Sequence, residues 1–183
     1  MKTALLIVDV QNDYFPGGKN ELVGSIEASL RIKVIIEKFR RKNLEIIYIQ
    51  HISKSPASTF FLPNTEGIAI HNSVKPNRED KIFIKHYPNS FRDTGLDEYC
   101  KNKGIDTLVI VGMMSHMCID TTVRAGYDLG YKIVVLKDCC ATKDLKMGER
   151  VVKAEEVQIA YMAAIEGTFG EVKTVEEYIR GEI

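Results

Sequence analysis

The stretch Ile110-Val111-Gly112-Met113-Met114-Ser115-His116-Met117-Cys118-Ile119-Asp120 reads as a buried strand, a sharp turn and the first turn of a helix. Strand followed directly by helix is the building unit of a parallel α/β sheet. The reading places the Cys118 thiol at a helix start, where unpaired backbone N–H groups carry partial positive charge. The expected consequence is a lowered thiol pKa and a nucleophilic thiolate. Two further residues hold equivalent places: Asp9 ends the first apolar run and Lys85 ends a later one. In a parallel sheet all strand C-termini open onto one edge, where ligands bind. Acid, ammonium and thiol are therefore expected on one rim.

Outward from this segment, apolar runs at 4–9, 44–50, 82–85, 106–111 and 132–138 alternate with helical patterns. Ser25 is the expected N-cap of a helix in which Ala28, Ile32, Ile35, Ile36 and Phe39 recur at helical spacing. Arg40, Arg41 and Lys42 close it, favourably for the helix dipole. Further helices are predicted at 93–103, from the Cys118 turn to about 129, at 148–165 and at 175–180, with a short strand at 171–174. The sum is one domain over residues 1–183. It is a three-layer α/β/α fold with a doubly wound, mainly parallel, Rossmann-like sheet of about six strands. Residues 52–81 hold Pro56, Pro63, Pro76 and Gly67 without periodicity. A connection that long on the ligand-binding edge is expected to serve as a lid, a binding loop or an edge-covering crossover.

The 183 residues suffice for one α/β domain with a full core. Lys plus Arg balances Asp plus Glu at 25 each, so nothing in the charge calls for nucleic acid or an anionic membrane. No apolar run reaches membrane-span length. Met1-Lys2-Thr3 leads straight into a strand without a secretory segment, and the expected location is the cytoplasm. Cys100, Cys118, Cys139 and Cys140 form neither a disulfide framework nor a zinc-type Cys-x-x-Cys pair. Cys139 and Cys140 read as two small apolar side chains at a buried strand end.

Three motifs carry a family resemblance. Ala4-Leu5-Leu6-Ile7-Val8-Asp9-Val10-Gln11-Asn12-Asp13-Tyr14-Phe15 resembles the opening motif of the isochorismatase-like cysteine hydrolases. Gly112 to Cys118 resembles their nucleophile turn, and Lys85 fits their central lysine. The likeness runs from about residue 2 to about 142. The superfamily includes nicotinamidases, N-carbamoylsarcosine amidohydrolases, ureidoacrylate amidohydrolases and the isochorismatases proper. The resemblance implies a hydrolase with an Asp9–Lys85–Cys118 triad and a small amide or ureido substrate. It further implies a cis peptide between Met113 and Met114, and an oxyanion hole from the Met114 and Cys118 amides. Ser115 stands where many members have Thr, and keeps the hydroxyl.

Gln11, Phe15, Tyr87, Phe91 and His116 are the expected substrate-binding residues. No metal and no other cofactor are expected: nicotinamidases place an acid where Gln50 stands, and His51 with His71 makes a poor donor set. The expected partners are a small-molecule substrate and further copies of the chain, as a dimer or tetramer, with neither nucleic acid nor membrane. Two alternatives stay open. One is vinyl ether hydrolysis of the isochorismatase type, which needs a proton donor and no thiol. The other is a non-catalytic binding scaffold; the loop after strand one lacks a glycine-rich phosphate cradle, so it would not be a nucleotide-binding module.

Overall fold

A computed structural model describes residues 2–181 of the protein. The apolar runs become strands β1 (Thr3–Val8), β2 (Glu45–His51), β3 (Lys81–Lys85), β4 (Thr107–Met113) and β5 (Lys132–Ala141). A short hairpin follows, β6 (Leu145–Met147) with β7 (Arg150–Val152), and then β8 (Glu171–Lys173). Helices are α1 (Ser25–Arg41), α2 (Leu96–Lys103), α3 (Asp120–Asp128), α4 (Ala154–Ile165) and α5 (Val175–Arg180). The main sheet has six parallel strands in the order β3-β2-β1-β4-β5-β8. The chain builds outward from β1 to β3 on one side, then restarts at β4 and builds the other way. The reversal lies between β1 and β4, and the crevice above it is the usual ligand site of a doubly wound sheet.

Period-two alternation of the strands creates two cores. Leu5, Ile7, Val109 and Val111 face α1 and α5, packing on Ile32, Ile35, Phe39 and Val175. Ala4, Leu6, Val8, Leu108 and Ile110 face the other way, onto Leu96, Val123, Met162 and Ile165 of α2, α3 and α4. Strands buried on both faces explain why β1 and β4 read as unbroken apolar runs. Cys139 and Cys140 fall into opposite cores, and all four cysteines are free thiols. No helix among the described residues is long and apolar enough to cross a membrane.

Several expected boundaries move, each for a local reason. Gly24, with φ of 77°, occupies the cap position of α1, and Ser25 is already helical and buried without a capping bond. The helix expected at 93–103 starts only at Leu96, because Asp93 and Gly95 have left-handed φ values of 57° and 76°. The helix expected from residue 148 starts at Ala154. Before it, Gly148 at φ of 62° lets the chain turn back, and β-branched Val151 and Val152 pair into the hairpin. Asp144 then accepts the Ala154 N–H at 2.8 Å and fixes the new helix start.

Gly112 is where the fold needs a glycine. Its φ is 124°, and a Cβ there would lie 2.0 Å from the Val8 carbonyl oxygen of the paired strand. Gly112→Ala should therefore lower unfolding free energy by more than about 2 kcal/mol, read by urea denaturation. Gly104→Ala, at φ of 67° with nothing near its missing Cβ, should lose only about 1 kcal/mol. Equal losses in the two variants would show that the β1–β4 approach is not tight.

Candidate active site

The reversal point brings three strand ends together. Asp9 follows β1 with φ of 52°, a left-handed conformation that aspartate tolerates better than most residues. Its own N–H is tied to the Ile49 carbonyl of β2 at 3.0 Å, which fixes its height on the rim. Lys85 is the last residue of β3, and His51, the last residue of β2, is its direct register partner. Cys118 lies in a single π turn (Ser115–Ile119) between β4 and α3, closed by the Ile119 N–H to Met114 carbonyl bond at 3.2 Å. The Cys118 N–H precedes that bond, among the amides that a helix start leaves without an intrahelical acceptor. The Met113–Met114 peptide is cis.

The side chains converge on the Lys85 ammonium. Its Nζ is 2.7 Å from Asp9 Oδ2, 3.0 Å from His51 Nδ1, 3.0 Å from the Tyr87 carbonyl oxygen and 3.1 Å from Cys118 Sγ. Asp9 and Lys85 have no solvent exposure, and Cys118 has 5%. Burying a lysine and an aspartate this completely is costly unless each has the other. Burial works against the Lys85 charge, but Asp9 and Cys118 outweigh it and hold the amine's pKa above its ordinary value.

The thiol behaves opposite to the expectation from helix position. Burial first, and the Asp9 charge second, push the Cys118 thiol up to about 12, with Lys85 pulling the other way. Burial and Asp9 thus favour the neutral thiol, against the Lys85 ammonium 3.1 Å from Sγ. Desolvation of a fully enclosed sulfur outweighs a helix start that is itself only one irregular turn.

The expected substrate-binding residues each have defined partners in the structure. Gln11 is fully buried and fully engaged: its amide donates to the His51 and Ile68 carbonyls, both at 2.9 Å, and accepts the His51 N–H at 2.7 Å. It clamps the 52–80 connection to β1. Phe15 is buried and stacks on His71 at 3.6 Å, and His71 also bonds the Ser73 hydroxyl through Nδ1. Phe91 stacks on Tyr131 at 5.7 Å and packs beside Gly126 of α3. His116 pairs Nδ1 with the Thr142 hydroxyl at 2.6 Å and stands edge-on to Tyr161. Of the five, Tyr87 meets the Lys85 ammonium directly, through its carbonyl, while its ring lies under the Arg92 guanidinium, and Gln11 holds the backbone of His51.

Two residues stand in places the motifs did not assign. Tyr14 is buried, and its phenol pKa is pushed well above the ordinary value by burial and then by the nearby acidic groups of Cys118, Asp9 and Asp13. It packs on Phe61, 4.6 Å away, whose N–H is held by Asp13 at 2.6 Å. The sequence signal was present in Asp13-Tyr14-Phe15, but a short 3-10 turn over Asn12–Tyr14 decides which aromatic faces the thiol. His51 is the other, and its signal was a strand end level with that of Lys85.

Asp9, His51 and Cys118 offer donor atoms within 4.8 Å of one another, of the kinds that hold a transition metal. The Lys85 Nζ lies within 3.1 Å of all three, so the cation among these donors is the chain's own ammonium.

Comparison with known proteins places this geometry in context. The model of the isochorismatase domain matches residues 3–177. The isochorismatase family protein YddQ of Bacillus subtilis (strain 168) is 43% identical, over 98% of this chain and all of that protein. The ureidoacrylate amidohydrolase RutB of Caulobacter segnis is 27% identical, over 96% of this chain and 84% of its own length. A crystal structure described as an isochorismatase hydrolase from Oleispira antarctica superposes with a TM-score of 0.94 at 41% identity, covering 98% of this chain and 97% of that one.

Proposed function

We propose that this chain, a hydrolase that belongs to the isochorismatase family, cleaves an amide or ureido C–N bond of a small molecule through a Cys118 thioester. The observation that carries the reading is the Lys85 Nζ lodged 2.7 Å from Asp9 and 3.1 Å from Cys118 at the reversal point of the sheet. The amidohydrolase among the relatives supports the bond type.

Burial and Asp9 favour the protonated thiol, so its proton leaves as the sulfur attacks. Asp9 takes that proton while Sγ bonds to the substrate carbonyl carbon, and the carbonyl π electrons move to oxygen. The Met114 and Cys118 amides are the donors for that oxyanion; one such donor is worth about 3 kcal/mol in a transition state. Collapse breaks the C–N bond, and Asp9-H returns the proton to the leaving nitrogen. Asp9 then removes a proton from water, which attacks the thioester, and the released thiolate is reprotonated. Throughout, Lys85 offsets the negative charge that passes between Asp9 and Cys118.

Ammonia or amine release from a panel of small amides and ureides, with a vinyl ether included, tests the reaction class. Turnover of the vinyl ether alone would replace this reading with vinyl ether hydrolysis. The reaction uses no metal, because an ammonium already fills the position among the three donors. EDTA should leave the rate unchanged, and elemental analysis should find no stoichiometric metal. Loss of activity on chelation, restored by one divalent ion, would contradict this.

Free cysteines fit a reducing compartment, which supports a cytoplasmic location. Exposed apolar side chains support self-association: Ile26, Leu30 and Val34 on α1, Met147 and Val151 on the hairpin, and Ile159 on α4. Light scattering on the purified chain reads the stoichiometry.

A further inference from the structure

The Lys85 ammonium has three N–H donors and no lone pair. Its directed hydrogen bonds go to His51 Nδ1, the Tyr87 carbonyl and Cys118 Sγ. Asp9 Oδ2 is closer still, at 2.7 Å, in an ion pair whose hydrogen bond is less well directed than the other three. Beyond the Lys85 ammonium and the Cys118 thiol, neither buried Asp9 oxygen has a hydrogen-bond partner among the described residues. Buried carboxylate oxygens are normally satisfied, and exceptions call for a reason. Here the reason is chemical: lone pairs left open can receive a proton.

We infer that His51 is a positioning residue, which occupies one Lys85 N–H and so keeps the ammonium against Cys118 Sγ as well as beside Asp9. The inference rests on the proposed Asp9–Lys85–Cys118 chemistry and adds a fourth participant to it. Three features of His51 suit the task. It is the register partner of Lys85, so the sheet itself sets the spacing. The backbone on both sides of its ring is clamped, because Gln11 accepts its N–H and donates to its carbonyl. Burial, and next the Lys85 charge, push its imidazole down to about 4, so at neutral pH the ring is uncharged. Facing an ammonium, the neutral ring presents the Nδ1 lone pair and carries its proton on Nε2.

Without that acceptor, one N–H is set loose 2.7 Å from Asp9 Oδ2. The carboxylate captures it, and the ammonium is drawn toward Asp9 and off the sulfur. The Cys118 thiolate then loses part of its stabilisation. The probe is iodoacetamide, with the rate of Cys118 labelling at neutral pH followed by mass spectrometry. His51→Leu removes the acceptor and keeps bulk; it should slow labelling about fivefold. His51→Asn places an amide oxygen near the Nδ1 position and should bring the rate back toward wild type. In an Asp9→Asn background no carboxylate remains to capture the loose N–H, so adding His51→Leu should change little. A structural role for His51 would slow both backgrounds alike and would not be rescued by Asn. The inference is overturned by a wild-type rate in His51→Leu, by failure of Asn to rescue, or by an equal loss in both backgrounds. Failure of the underlying triad has a separate signature: Asp9→Asn would then label like wild type.

Discussion

Cys118→Ala is expected to reduce turnover of any substrate found in the amide and ureide panel by on the order of 10⁴-fold or more. The size follows from the role. Without sulfur no thioester forms, and the remaining oxyanion donors can only hold the substrate for direct attack by water. Folding should survive, because Cys118 contributes a small buried side chain in a turn whose backbone bonds do not involve sulfur. Cys139→Ala is the control. That thiol sits in the opposite core, where burial and the Asp138 charge raise its pKa, and turnover should stay close to wild type. Undiminished turnover in Cys118→Ala would refer the reaction to other groups.

The second large effect separates Asp9 from Lys85. Asp9→Asn and Lys85→Ala should each lower turnover by about 10²–10⁴-fold. They should move thiol ionisation in opposite directions. The Asp9 charge raises the Cys118 pKa, so removing it should bring the pKa down from about 12 and speed alkylation at neutral pH. The Lys85 charge lowers that pKa, so removing it should drive the pKa further up and slow alkylation. Lys85→Ala also leaves a fully buried Asp9 without its ion partner, which should lower stability by about 3–5 kcal/mol. Thermal melts therefore accompany the labelling rates. A pair of bystanders would change neither turnover nor the alkylation profile.

Much of this arrangement was legible in the residues themselves. β1 and β4 are buried on both faces and so appear as continuous apolar runs, and the ends of those runs locate Asp9 and Cys118. The hairpin at residues 145–152 was not legible. Its apolar residues continue smoothly into the α4 pattern, and only Gly148 with the two valines breaks it. The partnership of His51 with Lys85 depends on the register between β2 and β3, which a long irregular connection leaves open. The upward shift of the Cys118 thiol was not legible, because position at a helix start is visible in sequence, whereas full desolvation is a property of the assembled core. Aromatic residues near the motifs were likewise ambiguous. Phe15 and Phe91 satisfy the composition of a pocket, and their stacking on His71 and Tyr131 comes from the assembled core rather than from the motifs.

The central claim is that Cys118 forms a covalent acyl intermediate while Asp9 and Lys85 manage its charge. Acid quenching during turnover of a panel substrate, followed by proteolysis and mass spectrometry, reads that intermediate directly. The account predicts a substrate-derived acyl group on the peptide carrying Cys118, lost when hydroxylamine is added and absent in Asp9→Asn. Sustained turnover with Cys118 unmodified at every quench time, or an acyl group on Cys100, Cys139 or Cys140 instead, would contradict it.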